Sequence, residues 1–143
     1  MHFFIDRNLP LALARMLSHY DTKHTIIYKD DRFEQDTADT VWLTQIAAWD
    51  PVPVVVSGDG RILKNPAELQ VLKGLPLTFF MFAGSWFDLR WRDMAWKAVR
   101  VWPEIVAAAS PRRPSIFRVP VSASKVELEG LTHELGGPRR ARS

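Results

Sequence analysis

Short apolar runs alternate with amphipathic segments along most of the chain. Four of these runs, of four to six residues each, are predicted to be strands: 2–5, 25–28, 52–56 and 77–82. Helix-start residues and the helical spacing of apolar positions predict helices in three intervening segments: 9–20, 37–49 and 65–74. Because the strands are apolar throughout rather than alternating, the pattern predicts a parallel sheet covered on both faces.

The predicted fold class is therefore α/β, a small doubly wound parallel sheet with helices on both faces. The same pattern predicts a long helix at about 87–109, which Pro111-Arg-Arg-Pro114 ends. We expect one α/β domain over residues 1–110 that includes this helix. A basic extension with β structure is expected over 111–135 and a disordered tail over 136–143.

Composition and charge narrow the possible chemistry. The chain of 143 residues has no cysteine, which excludes a disulfide scaffold, a thiolate zinc site and a cysteine nucleophile. No apolar run approaches the roughly 18 residues of a membrane span, so we expect a cytoplasmic protein that does not enter the membrane. The formal net charge is +3, and residues 111–143 carry 7 basic and 3 acidic side chains. This basic segment is either a solvated tail or a contact surface for a polyanion.

Three aspartates are predicted to meet at one edge of the sheet. Asp6 directly follows the first strand, Asp59 follows the third, and Asp39 lies in the first turn of the preceding helix. The carboxyl ends of parallel strands share one edge, where α/β proteins place their sites. Each aspartate alone also has a structural explanation, as a cap, a turn residue or a partner of the helix dipole. Three clustered carboxylates, however, require a compensating cation or raised pKa values.

Mg²⁺ or Mn²⁺ is the cation that fits such a cluster, because every available ligand is a hard oxygen. An ion of this kind would activate water as a nucleophile and neutralise phosphate oxygens in the transition state. These residues therefore suggest a metal-dependent phosphodiesterase.

Three stretches of the sequence resemble a known family, the PIN-like domains, a branch of the PIN nuclease superfamily. Asp6-Arg-Asn-Leu-Pro10 is similar to the family's D-x-N-L-P opening, and Asp39-Thr-Val-Trp-Leu43 is similar to its D-E/D-x-W/I-L helix start. Ser57-Gly-Asp-Gly-Arg-Ile62 is similar to its S/T-x-D-x-R/D-I/F segment after the central strand. The motifs occur in the family's order and spacing, and the resemblance covers roughly residues 2–82.

The resemblance implies a three-layer PIN-like fold and a Mg²⁺/Mn²⁺-dependent ribonuclease. Many members of the superfamily are toxins of bacterial toxin–antitoxin pairs, the VapC type. The positions that match the family's metal-binding acids are Asp6, Asp39 and Asp59. Asn8, which is also suited to cap the first helix, matches a polar residue that orients Asp6 or a water at the metal.

One position departs from the family pattern, since many relatives have a fourth acid where this chain has Arg61. Arg61 cannot ligate a cation but could bind a substrate phosphate, and Lys64 and Arg7 are further candidates for that role. Asp36 could supply the missing ligand, although a solvated loop acid is the simpler explanation. The departure favours one tightly held ion over a two-metal site.

The leading hypothesis is a metal-dependent endoribonuclease that acts on RNA as the toxin of a toxin–antitoxin pair. The alternative is a catalytically silent PIN-like module that binds a protein partner or RNA, which Arg61 favours. A receiver-type phosphoacceptor ranks last, because the acids after the first strand are not paired and no lysine follows Phe82.

Of the tryptophans, Trp42, Trp49 and Trp102 are expected in the core. Exposed aromatic side chains would bind RNA, an antitoxin or a second copy in a homodimer.

Overall fold

The computed structural model describes residues 1–58, 64–121 and 129–130. Its strands are β1 (His2–Ile5), β2 (Thr25–Tyr28), β3 (Val54–Gly58), β4 (Thr78–Phe82), β5 (Ser115–Val119) and β6 (Glu129–Gly130). Its helices are α1 (Leu11–Tyr20), α2 (Asp39–Ala47), α3 (Pro66–Lys73) and α4 (Trp91–Ala108). Two short 3₁₀ turns follow strands, at Lys29–Asp31 and Gly84–Asp88. The predicted strands and helices are present, but the third strand lies at 54–58 rather than at 52–56.

The strands form one sheet in the order β2-β1-β3-β4-β5-β6. The first five strands are parallel, and β6 pairs antiparallel with β5. The predicted doubly wound parallel sheet is confirmed, and the β structure expected after residue 110 provides its fifth parallel strand. Since β1 lies between β2 and β3, the strand order reverses at β1. Doubly wound sheets open a crevice at the carboxyl edge where such a reversal occurs.

The sheet is buried on both faces, as the continuous apolar strands predicted. Phe3 and Ile5 of β1 pack with α1 and α4 on one face, whereas Phe4 packs with α2 and α3 on the other. Successive side chains of a strand point to opposite faces, so both faces of β1 are apolar. Trp42 and Trp102 are buried as expected, and Trp49 is half-buried and stacked on Phe33. The two cores hold the end of β1 rigidly, which fixes the position of Asp6.

The helix expected at about 87–109 begins later, at Trp91. The preceding residues form a 3₁₀ turn, because Trp86 is buried there and its Nε1 donates a hydrogen bond to the Val119 carbonyl oxygen at 2.9 Å. Trp91 is 44% exposed, so it lies outside the core contact of α4. Within the described part of the chain, no helix combines the length and apolarity that crossing a membrane requires.

Candidate active site

A polar cleft of about 200 Å³ lies at the carboxyl edge of the sheet, at the ends of β1 and β3. It is lined by Asp6, Arg7, Asn8, Lys29, Gln35, Thr37, Asp39, Ser57 and Gly58. These side chains come from the loop after β1, the segment between β2 and α2, the start of α2 and the end of β3. The reversal of strand order therefore brings Asp6 and Asp39, which are 33 positions apart in the chain, to one cleft.

Asp6 is a buried carboxylate held by two hydrogen bonds. Its Oδ1 accepts from the Arg7 backbone N–H at 2.6 Å, and its Oδ2 accepts from the Ser57 hydroxyl at 2.8 Å. Burial raises the pKa of Asp6, the hydrogen bond from Ser57 opposes that shift, and the charge of Asp39 adds to it. The two carboxylates therefore interact electrostatically, and a cation between them would relieve their repulsion.

Asn8 fastens the loop after β1 to the end of β3. Its Nδ2 donates to the Gly58 carbonyl oxygen at 3.0 Å, and the Gly58 N–H donates to Asn8 Oδ1 at 3.1 Å. The expectation that Asn8 caps the first helix is wrong, because Pro10 occupies the cap position and the Asn8 amide bonds to β3 instead. The Tyr28 hydroxyl adds a bond of 2.8 Å to the Leu9 carbonyl oxygen. The loop that carries Asp6 is thus fixed from both neighbouring strands.

Asp39 is the first residue of α2, and a tryptophan of the same helix orients its carboxylate. Trp42 Nε1 donates to Asp39 Oδ1 at 2.7 Å. The Trp42 ring in turn stacks on Phe4 of β1, with 5.3 Å between the ring centroids. This stacking joins α2 to the strand that carries Asp6, so packing in the core sets the relative position of the two carboxylates.

Replacing Trp42 by Phe should keep an aromatic ring in the core but remove the N–H that orients Asp39. Loss of a hydrogen bond to a metal-ligating group typically lowers metal affinity or activity about 10–100-fold. Since the sequence predicts Asp39 to be a ligand of Mg²⁺ or Mn²⁺, we expect a loss of this size in Mn²⁺ affinity, measured by calorimetric titration. Trp49→Phe is the matched control, since Trp49 packs on Phe4 in the same aromatic cluster. Equal Mn²⁺ affinity in the two variants would contradict a role for the Trp42 N–H.

Two of the predicted site residues, Asp59 and Arg61, lie outside the described residues. In sequence, Asp59 directly follows Gly58, which lines the cleft. Asp36 is exposed and lines a separate, neighbouring cleft with Asp30 and other residues. The structure therefore does not bring Asp36 to the carboxylate pair.

The side chains predicted to bind a substrate phosphate do not all lie at the cleft. Arg7 lines the cleft, and its Nε forms an ion pair with Asp30 Oδ2 at 3.1 Å. Lys64 is exposed and is not part of the cleft lining. Of the three predicted phosphate-binding side chains, the described residues thus place Arg7 at the cleft.

Sequence reasoning gave no role to Lys29, Ser57, Thr37 or Gln35, although all four line the cleft. Residues 29–36 form a polar stretch that is typical of an exposed loop, yet Lys29 is buried. A signal for Lys29 was available, since it directly follows a strand, as Asp6 does. Ser57 stands in the motif that contains Asp59, and its hydroxyl holds Asp6.

The donor set of the cleft suits a hard divalent cation. Asp6, Asp39 and Ser57 contribute carboxylate and hydroxyl oxygens, the donors that Mg²⁺ and Mn²⁺ prefer. Within residues 1–58 and 64–121, no group of three or more His, Asp or Glu side chains could hold a metal ion. The described residues therefore supply a carboxylate pair, and the sequence supplies a third candidate at Asp59.

The fold and the cleft define a class of protein. It is a doubly wound α/β domain whose site lies at the carboxyl edge of the sheet, where the strand order reverses. The particular family follows from comparison with known proteins. A family model described as PIN like domain matches residues 1–84, more than half of the 143-residue chain, and the chain belongs to this family. PIN domains are generally nucleases and typically use divalent metals. No curated protein and no solved structure matches the chain.

Proposed function

We propose that this protein is a metal-dependent endoribonuclease that hydrolyses phosphodiester bonds in RNA. The observation that carries the proposal is the carboxylate pair, Asp6 and Asp39, in one polar cleft of a PIN-like domain. Asp59 is proposed as the third acid of the site. The roles as a toxin in the cytoplasm and as partner of an antitoxin protein belong to the same proposal and rest on the resemblance of the three sequence motifs.

Asp6, Asp39 and Asp59 would hold Mg²⁺ or Mn²⁺. The bound ion supplies positive charge that stabilises phosphate oxygens in the transition state. The protein's own contribution is to hold the carboxylates before substrate arrives, through the Ser57 hydroxyl on Asp6 and the Trp42 N–H on Asp39. Preorganised groups of this kind need no rearrangement during the reaction.

The test is cleavage of single-stranded RNA in Mg²⁺ and in EDTA, by the wild-type protein and by Asp6→Ala. We expect cleavage by the wild type in Mg²⁺ alone and no cleavage by Asp6→Ala. Asp36→Ala is the matched control, because it removes an exposed carboxylate outside the cleft and should cleave like the wild type. RNA cleavage that persists in EDTA or in Asp6→Ala would refute the proposal.

A second candidate function is a catalytically silent module that binds a protein partner. The observation in its favour is an apolar groove of about 580 Å³ on α1 and α4. It is lined by Met16, Trp91, Arg92, Ala95, Trp96 and Val99, and both tryptophans are more than 40% exposed. Exposed apolar patches of this kind mark interaction sites, including the contact of a homodimer. A silent module would not cleave RNA. Its affinity for Mn²⁺, if it had any, would be the same in the wild type and in Asp39→Asn.

A further inference from the structure

A lysine at the end of β2 lies beside the carboxylate pair. Ile5 of β1 pairs with Tyr28 of β2, so Asp6 and Lys29 are the next residues along the two neighbouring strands. Lys29 lines the same cleft as Asp6 and Asp39. Only 3% of its surface is exposed, which is unusual for a lysine because burying an ammonium group is unfavourable unless it is paired.

The described residues give the Lys29 ammonium little compensation for its burial. Its nearest ring is that of Trp42, with Nζ 5.8 Å from the ring centroid. Among the described residues, Nζ makes no hydrogen bond and no ion pair; the ion pairs there involve Arg7, Arg15 and Arg112. Its charge reaches Asp6 through space and lowers the pKa of that carboxyl, in opposition to burial. The described residues therefore leave the Nζ donors of Lys29 for another acceptor.

The cleft needs a cation for its proposed substrate. A phosphodiester that approaches Asp6 and Asp39 is repelled by both carboxylates. Arg7, the other cation in the described lining, is already paired with Asp30. Lys29 differs from Arg7 in having no ion-pair partner among the described residues. Its side chain is buried, but Nζ is not among the fully buried polar atoms without a partner, so it remains accessible from the cleft. The low dielectric around the buried side chain strengthens its attraction for an anion.

We propose that Lys29 is a substrate-binding residue whose Nζ donates a hydrogen bond to a non-bridging phosphate oxygen of single-stranded RNA held at the carboxylates. This assignment rests on the proposed function, because it names the group that positions the same substrate. It gives the cleft one fixed positive charge of its own, independent of any divalent ion.

The experiment measures binding of a short, fluorescently labelled single-stranded RNA in EDTA, which separates binding from metal-dependent cleavage. Each phosphate contact on single-stranded nucleic acid contributes a slope of about −0.7 to the dependence of log affinity on log salt concentration. Lys29→Met should therefore bind about 10-fold more weakly or worse, with a slope shallower by about 0.7. Lys29→Arg should retain the wild-type slope. Lys23→Met, which removes an exposed lysine before β2, is the matched control and should bind like the wild type.

Because Lys29 is buried, its Met variant could fail to fold, so the wild-type protein provides a second measurement. With lysine Cε labelled for NMR, addition of the RNA should shift the Lys29 resonance and leave that of Lys23 in place. An unshifted Lys29 resonance, or a folded Lys29→Met protein with wild-type affinity and salt slope, would overturn the assignment. If the wild type still cleaved RNA in the presence of Mg²⁺, only the role of Lys29 would be lost and the proposed nuclease function would stand. A wild-type protein that neither binds nor cleaves RNA would overturn both.

Discussion

Replacement of Asp39 by Asn is expected to lower Mg²⁺-dependent RNA cleavage by at least about 100-fold with little change in the fold. Loss of a group that orients a metal ligand typically lowers activity about 10–100-fold, so loss of Asp39, which is proposed as a ligand itself, should lower it by at least the upper value. The Asn side chain keeps the size of Asp39 and an oxygen that can accept the bond from Trp42 Nε1. The measurement is the single-turnover cleavage rate, with circular dichroism to confirm that the helices remain.

Asp36→Asn is the matched control for this variant. It makes the same chemical change three residues earlier, at an exposed carboxylate that lines a different cleft. We expect it to cleave at the wild-type rate. Comparable cleavage rates for Asp39→Asn and Asp36→Asn would mean that Asp39 takes no part in the reaction. The proposed function would then lose the observation on which it rests.

Replacement of Phe4 by Ala should cause the largest loss of stability, about 3–5 kcal/mol of unfolding free energy. Phe4 is fully buried and contacts the rings of Trp42, Phe33 and Trp49, with centroid distances of 5.3 to 6.0 Å. Truncation would leave a cavity between β1 and α2, since well-packed neighbours relax only partially. Urea unfolding followed by fluorescence measures the effect.

Tyr20→Ala provides the comparison, because this aromatic side chain is 52% exposed at the end of α1. Surface substitutions usually change stability by less than about 0.5 kcal/mol. If Phe4→Ala unfolded at the same urea concentration as Tyr20→Ala, the Phe4–Trp42 stack would not be what holds α2 against β1. The stated link between core packing and the position of Asp39 would then be lost.

The burial of Asp6 lowers the stability of the folded protein. Its carboxylate is removed from water and lies within electrostatic reach of a second carboxylate, and both effects raise its pKa. A folded-state pKa above the unfolded value means that ionised Asp6 disfavours the folded state at neutral pH. A fold keeps such a group where its chemistry is used, which agrees with the proposed role in binding a cation.

Much of the fold could be predicted because its signals are local. The apolar runs predicted the strands. Asn65, which directly precedes Pro66, caps α3: its Oδ1 accepts hydrogen bonds from the backbone N–H groups of Ala67 and Glu68. Asp6 was placed correctly at the carboxyl edge because it directly follows β1. Asp39 needed the additional rule that helix starts share this edge with strand ends.

The expectations that failed depended on contacts between distant parts of the chain. Asn8 bonds to Gly58, which is 50 residues away, and no local pattern distinguishes that bridge from a helix cap. The long helix expected at about 87–109 begins only at Trp91, since Trp86 is buried in a 3₁₀ turn and bonds to the carbonyl oxygen of Val119, 33 residues away.

The amino-acid sequence by itself determined the α/β class, the family and the aspartates that end strands or begin helices, because periodicity and motifs are carried by neighbouring residues. Only the tertiary structure decided that Lys29 is buried in the acidic cleft and that Asp36 is not part of it. The reason is strand register and the course of the following loop: pairing of β1 with β2 sets Asp6 beside Lys29, and Asp36 lines a neighbouring cleft although Gln35 borders both. Which side chains share a site is fixed by this register and by packing across the sheet.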